Sequence, residues 1–172
     1  MTTREASNGK QANHERQRRE IDAIDRKILS LLQENGRSTN QWLAKQVDLS
    51  PTPCLERVRK LEKDGVIQGY RAVVSPDAVG YPMQLFALIS FDRAIDGVYE
   101  QFRVAIAQIP EIVECHMITG NVDFIMKIRT ADINHFRDLL EEKILKLPGV
   151  RITHSYVVMH EAKAGGTVPI AN

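Results

Sequence analysis

The chain has 172 residues, 43% of them hydrophobic, with 23 Lys and Arg against 22 Asp and Glu. That length allows one ordinary domain or two small ones with buried cores. Two cysteines without a CxxC pair exclude a disulfide framework and a zinc site, and no apolar run approaches the roughly 20 residues that cross a bilayer. We therefore expect a soluble, cytoplasmic protein that makes no membrane contact.

Residues 1–20 are polar, contain no large apolar side chain beyond Met1, and lack the apolar stretch of a signal peptide. They predict a flexible basic tail. Its Arg16, Arg18 and Arg19 could contact DNA phosphates, although a solvated tail without such a role is the alternative. Residues 1–83 hold 14 basic against 11 acidic side chains, and the remainder holds 9 against 11. This weakly favours phosphate binding by the first half of the chain.

Three helices are predicted next. Apolar residues recur at helical spacing from Ile21 to Leu32, and a glycine at position 36 ends that helix. A second, shorter helix follows an N-cap at Ser38 or Thr39. The third begins with Ser50 as N-cap and proline at its first position. Three helices with the last two tightly joined are typical of a helix-turn-helix DNA-binding domain.

The rest of the chain alternates between patterns of period two and period 3.6, in the order βαββαβ. This order predicts a ferredoxin-like domain, so the fold class is α+β, with a helix-turn-helix domain joined to a ferredoxin-like domain. The predicted strands are 84–91, 113–119, 123–129 and 151–161, and the predicted helices are 97–109 and 134–147. The predicted parts are a tail (1–20), the DNA-binding domain (21–70), a linker (71–83), the ferredoxin-like domain (84–163) and a flexible tail (164–172).

The third helix is predicted to contact DNA. Its apolar residues, Cys54 among them, should pack inward, which makes Cys54 a buried hydrophobe and not a reactive thiol. Side chains at the start of such a helix reach base edges in the major groove, and later basic side chains reach phosphates. The alternative is a solvated basic face with i,i+4 ion pairs. The base-contact candidates are Thr52, Pro53, Glu56 and Arg57, and the phosphate-contact candidates are Arg59, Lys60 and Lys63.

Several motifs resemble one family of regulators across about residues 21–163. They are SPTPC at 50–54, ERVRKLE at 56–62, GVI at 65–67, IDRKIL at 24–29, GR at 36–37, ECH at 114–116, GNVDF at 120–124, LPGV at 147–150 and YVVM at 156–159. The chain resembles the leucine-responsive/asparagine-responsive (Lrp/AsnC) family of transcriptional regulators, and its leucine-responsive branch in particular. One departure is Asp48, where the family usually has glycine in a turn of positive φ; Asp tolerates that region better than most residues.

The resemblance implies a winged helix-turn-helix that reads double-stranded DNA and regulates genes of amino-acid metabolism. The second domain would dimerise by sheet contact, assemble further to octamers, and bind a small amino acid. The protein would be a cytoplasmic, nucleoid-associated regulator of a bacterium or archaeon, with no catalytic residue, no metal and no cofactor beyond the effector. The full implied DNA-contacting set is Asn40, Gln41, Ser50, Thr52, Pro53, Glu56, Arg57, Arg59, Lys60 and Lys63.

In the family the effector lies near the turn that joins the second and third strands. Backbone N–H groups at Gly120 could hold a carboxylate, and Asp123 could pair with an ammonium. Asp123 could instead cap its own turn, and Met117, Ile133, Val157 and Val158 could each be ordinary core residues. The implied effector set is Met117, Thr119, Gly120, Asn121, Val122, Asp123, Ile133, Val157 and Val158.

Two rival functions follow from the sequence. An enzyme of amino-acid metabolism is disfavoured, because the five histidines are scattered and no nucleophile motif or phosphate loop is present. An effector-independent, architectural DNA-binding protein of the nucleoid type stays open. A ligand that shifts the melting temperature would separate this alternative from an effector-modulated regulator.

Overall fold

The computed structural model describes residues 21–92 and 97–170. The predicted tail at 1–20 lies outside the described residues, as do 171–172 of the second predicted tail. The chain divides into two compact units. One comprises the described residues up to Ala72 together with Gly165–Ile170, and the other comprises Val73–Ala164. We call them the helical unit and the sheet unit; the finer boundaries given above stay predictions.

The helical unit contains α1 (Ala23–Glu34), α2 (Asn40–Gln46) and α3 (Pro51–Lys63). The Asp22 carboxylate caps α1 by accepting from the Asp25 N–H at 2.8 Å, and the Thr39 hydroxyl caps α2 by accepting from the Trp42 N–H at 3.2 Å. Ser50 occupies the predicted N-cap of α3, but its side chain makes no capping hydrogen bond. Proline at the first position, whose φ is already helical, starts this helix instead.

The core of the helical unit is formed by apolar side chains from all three helices. Cys54 is among them and is fully buried, which confirms its prediction as a core hydrophobe. Burial also raises the pKa of its thiol, because desolvation disfavours the thiolate. The buried set is Ile28, Leu43, Ala44, Val47, Cys54, Val58 and Leu61.

The turn between α2 and α3 visits positive φ, as predicted. Asp48 has φ 54° and is the only non-glycine residue with positive φ in the described part of the chain. The turn is closed by the Leu49 N–H, which donates to the Ala44 carbonyl at 2.9 Å. The left-handed conformation therefore costs some stability at Asp48, while the motif itself stays intact.

A short C-terminal stretch belongs to the helical unit. The Gln33 side chain, near the end of α1, forms two hydrogen bonds with the backbone of Val168. Its amide nitrogen donates to the Val168 carbonyl at 3.1 Å, and its oxygen accepts from the Val168 N–H at 2.7 Å. This pairing resembles a step of a β-ladder made by a side-chain amide.

The sheet unit has four strands in the order β2-β3-β1-β4, all paired antiparallel, with two helices. This is the order of a ferredoxin-like βαββαβ domain, and it confirms the predicted α+β fold class. In chain order the elements are β1 (Met83–Phe91), α4 (Val98–Ile106), β2 (Ile112–Met117), β3 (Phe124–Thr130), α5 (Ile133–Glu142) and β4 (Val150–Val157).

Four elements of the sheet unit end earlier than predicted. α4 ends at Ile106 and not at residue 109, and β2 ends at Met117 and not at residue 119. α5 was expected to reach residue 147, but it ends at Glu142 and is followed by a 3-10 turn, Ile144–Lys146. That turn leaves both Ile144 and Leu147 buried. Their apolar spacing is therefore the same as in a helix that continues to residue 147, which is why the pattern predicted one. β4 ends at Val157 and not at residue 161. Its last paired residue lies opposite Leu85 of β1, near the start of that strand.

The two faces of the sheet differ. Leu85, Ala87 and Ile89 of β1 are fully buried against the helices, together with Met126 and Ile128 of β3. The alternate residues lie on the opposite face, which we call the open face. The open face carries Phe86, Leu88, Ile125, Ile152, His154 and Tyr156. No helix in the described part of the chain is long and apolar enough to cross a membrane.

Candidate DNA-binding and ligand-binding sites

The first turns of α3 present the predicted base-contact side chains outward. Thr52 and Glu56 are exposed, and Pro53 is half-buried. No acidic residue occupies the first turn of α3. This end of α3 therefore combines the positive end of the helix dipole with short side chains, an arrangement that suits contact with anionic DNA.

Basic side chains follow later on the same helix. Arg59, Lys60 and Lys63 are all exposed, and Lys60 and Lys63 lie in the last turn. Exposed cations at this end also interact favourably with the helix dipole, so their position by itself is compatible with a solvated face. Their role in phosphate contact stays a prediction.

Arg57 differs from its neighbours on α3. Its Nη1 lies 2.6 Å from Oδ2 of Asp22 and 3.0 Å from Oδ1 of Asp25, and its side chain is 30% exposed. Its hydrogen bonds to Asp22 and then Asp25 raise the pKa of Arg57. The pKa of Asp22 is lowered, first by the hydrogen bond from the Asp25 N–H and next by the one from Arg57. The predicted base contact by Arg57 therefore competes with two carboxylates within the chain.

The three remaining residues of the predicted DNA-contacting set occupy different environments. Asn40 is half-buried, and its side-chain nitrogen donates to the Pro51 carbonyl at 2.7 Å, so it joins the start of α2 to the start of α3. Gln41, which follows it on α2, is exposed, and so is Ser50. Of these three residues, Gln41 and Ser50 are exposed enough to contact DNA without a rearrangement of the chain.

A cavity of about 770 Å³ lies beside the turn between β2 and β3 in the sheet unit. It brings together five residues of the predicted effector set: Met117, Thr119, Gly120, Val122 and Asp123. Six further residues line it that the sequence reasoning missed: Phe91, Gly97, Val98, Tyr99, Ile118 and Phe124. The missed residues come mainly from the end of β1 and the start of α4, which no local pattern connects to the turn.

The Asp123 carboxylate is part of the framework of this cavity. Its Oδ2 accepts from the Phe91 N–H at 2.8 Å, so it fastens the end of β1 to the start of β3. Its backbone N–H donates to the Ile89 carbonyl at 2.8 Å, and its carbonyl accepts from the Ile118 N–H at 2.9 Å. A structural role therefore accompanies any ligand contact, but this bond fastens β1, whereas the alternative interpretation had Asp123 capping its own turn.

Four predicted effector residues do not line the cavity: Asn121, Ile133, Val157 and Val158. Ile133 and Val157 are 54% and 49% exposed, and Met117, which does line it, is 63% exposed. The alternative interpretation of these three as ordinary core residues is therefore wrong. Val158 is half-buried, and its N–H donates to the Gln84 carbonyl at 2.9 Å.

The described residues contain no cluster of three or more His, Cys, Asp or Glu side chains that could hold a metal ion. Cys115 is half-buried on β2, where desolvation raises the pKa of its thiol to about 11. A thiol with that pKa is almost entirely protonated near pH 7 and is a poor nucleophile. Neither cysteine of the chain is therefore activated for chemistry.

Two family profiles together match most of the chain. The profile described as "Winged helix-turn-helix DNA-binding" matches residues 21–68, and the one described as "Lrp/AsnC ligand binding domain" matches residues 84–168. The first covers all three helices of the helical unit, and the second covers the four-stranded sheet from Gln84 onward together with its cavity. The described residues of the helical unit show no strand between α3 and residue 72.

The leucine-responsive regulatory protein of Escherichia coli K12 is 45% identical over 152 residues, which cover 88% of this chain and 93% of the relative. A Neisseria meningitidis transcriptional regulator, solved as a complex with L-Met, has 36% identity and a TM-score of 0.83, covering 87% of this chain and 96% of the other. An AsnC family transcriptional regulator from Agrobacterium tumefaciens has 32% identity and a TM-score of 0.82, covering 87% and 97%.

These relatives and structural neighbours are transcriptional regulators, and they match both units of the chain. The enzyme considered above is therefore excluded by homology, not merely by the lack of a motif. The helical unit is the DNA-binding part, and the sheet unit is the ligand-binding part. The chain belongs to the Lrp/AsnC family of transcriptional regulators.

Proposed function

We propose that the chain is a sequence-specific, cytoplasmic regulator of amino-acid metabolism whose DNA affinity changes when a small amino acid occupies the cavity beside Gly120. The observation that carries this proposal is the cavity itself, which combines a glycine turn with an apolar wall in a domain of the ligand-binding family. The neighbouring Neisseria meningitidis regulator, solved with L-Met, supports an amino acid as the class of ligand.

The cavity offers the chemical groups that a zwitterion needs. Gly120 has φ +134°, a conformation that side-chain-bearing residues rarely adopt, and it exposes backbone in the turn. Backbone N–H groups in such a turn attract a carboxylate, and the Asp123 carboxylate supplies negative charge for an ammonium. Met117 and Tyr99 give an apolar wall for the side chain of the ligand.

The proposed DNA surface is the exposed side of α3 with the start of α2. Thr52, Pro53 and Glu56 would meet base edges, while Arg59, Lys60 and Lys63 would meet phosphates. Gln41 and Ser50 would flank them, and Asn40 would fix the angle between the two helices through its bond to Pro51. Arg57 keeps its proposed place in this surface, with a role that is argued separately below.

Self-association is the third part of the proposal. The open face carries five large apolar side chains of the sheet, and Ile152 and Tyr156 among them are 41% and 56% exposed. Apolar surface of this kind is typical of a buried interface. Pairing two open faces would give a dimer with two copies of α3 and an approximately palindromic DNA site, and dimers would assemble further to octamers.

Calorimetric titration with each standard amino acid, with and without a duplex selected by the protein from a random pool, tests the proposal. We expect one or a few apolar amino acids to bind and to shift DNA affinity by about 5- to 150-fold, with the reciprocal shift in ligand affinity. Met117→Ala should weaken this ligand, whereas Asn121→Ala, an exposed neighbour that does not line the cavity, should not.

The second candidate function is the effector-independent architectural protein. It predicts no binding of any amino acid, together with DNA affinity that depends little on sequence. If the chain showed that combination, the ligand proposal would be wrong. Ligand binding without any effect on DNA affinity would instead contradict only the coupling between the two units.

A further inference from the structure

An ion cluster that includes Asp22, Asp25 and Arg57 joins the beginning of α1 to the middle of α3. The guanidinium of Arg57 contacts both the N-cap carboxylate of α1, from Asp22, and the carboxylate of Asp25 one turn later. Both contacts are made by the same nitrogen, Nη1, at 2.6 and 3.0 Å. A single arginine on α3 thus contacts both the N-cap and the first turn of α1.

Burial makes this cluster different from a surface ion pair. The Asp25 side chain is completely buried, and the Asp22 and Arg57 side chains are 49% and 30% exposed. A buried carboxylate depends on nearby cations and donors, and removing one of them is strongly unfavourable. Arg57 is therefore held where it is by a partner that solvent cannot replace.

The cluster also fixes the position of α3. Val58 and Leu61, on the same helix, pack in the apolar core that also contains Ile28 of α1. Apolar contacts are non-directional, so they allow small rotations and sliding. The hydrogen bonds of a planar guanidinium to two carboxylates are directional. They therefore restrict the rotation and sliding of α3 that apolar contacts allow.

If Arg57 read a base, its guanidinium would have to withdraw from Asp22 and Asp25 toward the DNA. That movement would take its charge away from a fully buried carboxylate and from the cap of α1. Thr52 and Glu56 need no such movement, because they are already exposed on α3. Thr52 and Glu56 can thus contact bases, while a different side chain, that of Arg57, holds α3 in place.

We infer that Arg57 is a positioning residue: together with Asp22 and Asp25 it sets the angle at which α3 presents Thr52 and Glu56 to DNA. This inference rests on the proposed binding of DNA by α3. It replaces direct base reading by Arg57 with an indirect contribution to specificity. The two roles predict opposite responses when the carboxylate at position 22 is changed.

The test is Asp22→Asn in the full-length chain. Asparagine keeps an oxygen that can cap α1 but removes the charge that holds Arg57. The probes are the duplex selected by the wild-type protein and a random-sequence duplex of equal length. Their affinity ratio is the readout, because loss of one negative charge near DNA raises affinity for both duplexes alike.

We expect the ratio to fall by about 3-fold or more for Asp22→Asn, since α3 is less well positioned. Direct base reading predicts that it stays constant or rises, since Arg57 is released toward the DNA, and that result would overturn the inference. Asp132→Asn is the matched control, because Asp132 caps α5 by accepting from the His135 N–H at 2.8 Å in the sheet unit. Its ratio should equal that of the wild type.

Arg57→Met and the double variant with Asp22→Asn complete a cycle. If both residues act through one cluster, the double variant loses no more specificity than Arg57→Met alone. Losses that multiply would overturn the inference. Urea denaturation of the same four proteins gives a second readout, in which the effects of Asp22→Asn and Arg57→Met on the unfolding equilibrium should be non-additive by about 2-fold or more.

The two hypotheses fail in distinguishable ways. If the wild-type chain bound neither duplex, the proposed function would fail, but the denaturation cycle would still decide whether Asp22 and Arg57 act together. Additive effects on unfolding would show that the cluster does not hold α3. Should Arg57→Met not fold, Arg57→Lys takes its place in the cycle, because lysine keeps the charge but lacks the planar fork.

Discussion

The helical unit and the sheet unit build their sites in opposite ways. In the helical unit, most of the proposed DNA-contacting side chains, from Thr52 to Lys63, project from one continuous helix, α3, and only Gln41 and Ser50 flank it. In the sheet unit, the cavity is assembled from the end of β1, the start of α4 and the turn between β2 and β3. The first site depends on the periodicity of a helix, and the second depends on packing between segments.

This difference determines what each site can tolerate. A side chain on the exposed face of α3 can be exchanged with little effect on stability, because solvent surrounds it. In the sheet unit, Phe91 and Phe124 line the cavity and also pack on Phe102 of the core, at ring-centroid distances of 5.0 and 4.8 Å. A change at the cavity is therefore also a change in the core.

Phe102→Ala should produce the largest effect. Phe102 is almost fully buried, so its truncation should lower the free energy of unfolding of the sheet unit by about 3–5 kcal/mol. Urea denaturation followed by circular dichroism measures the whole chain, and the fluorescence of Trp42, the single tryptophan, follows the helical unit. We expect the sheet unit alone to unfold early, and Leu61→Ala should make the helical unit alone unfold early. Simultaneous unfolding of both units would contradict this expectation.

Glu111→Gln should have the next largest effect, about 1.5 kcal/mol, at neutral pH. Burial of Glu111 tends to raise the pKa of its carboxyl, but its backbone hydrogen bond and then Lys143, with Nζ 3.4 Å away, lower it overall. A carboxyl group whose pKa is lowered by folding stabilises the protein at pH values above its pKa in the unfolded chain, which is near 4.5. That stabilisation is lost as the pH falls through the pKa of the folded state. The variant and the wild type should therefore converge in stability as the pH falls through the lowered pKa of Glu111. A difference that persists at still lower pH would exclude the ion pair as its cause.

Lys60→Ala should weaken DNA binding by several-fold on both selected and random duplexes. Removal of one phosphate contact should reduce the slope of log affinity against log salt by about 0.9. Binding measured at three or four salt concentrations gives this slope directly. The matched control is Lys27→Ala, an exposed cation on α1, which should leave the slope unchanged. Equal slopes for all three proteins would place the DNA surface elsewhere.

Asp48→Gly should give the smallest effect, a gain of about 0.5–1 kcal/mol in the helical unit. Glycine adopts φ 54° without the steric cost that an L side chain meets there, although its greater freedom in the unfolded chain offsets part of the gain. Trp42 fluorescence during thermal unfolding measures this change. At Asp64, where φ is −77°, the same substitution should destabilise. A destabilised Asp48→Gly protein would mean that the Asp48 side chain makes a stabilising interaction.

Local patterns predicted most of the fold. The start of α3 at Pro51 and the buried state of Cys54 follow from residue chemistry and helical spacing, whereas the positive φ at Asp48 was expected from the family resemblance. The order of strands and helices along the chain followed from the alternation of patterns with period two and period 3.6. Such features depend on neighbours in sequence, which is why they were accessible without coordinates.

The features that escaped prediction depend on contacts between distant residues. Arg57 meets carboxylates 35 and 32 positions earlier, and helical spacing on α3 cannot reveal them. Tyr99 reaches the cavity because it packs on Phe124 with stacked rings 6.1 Å apart, again between separate segments. Asp25 carried one signal that could have been used, since a charged residue on the apolar face of a helix needs a partner.

The bond between Gln33 and Val168 has a practical consequence for spectroscopy. It holds the C-terminal stretch against α1, in the same unit as Trp42. Because burial raises the pKa of both native thiols, a cysteine introduced by Thr167→Cys would be labelled selectively. An energy acceptor attached there, with Trp42 as donor, would form a molecular ruler whose transfer efficiency drops whenever this stretch detaches from α1.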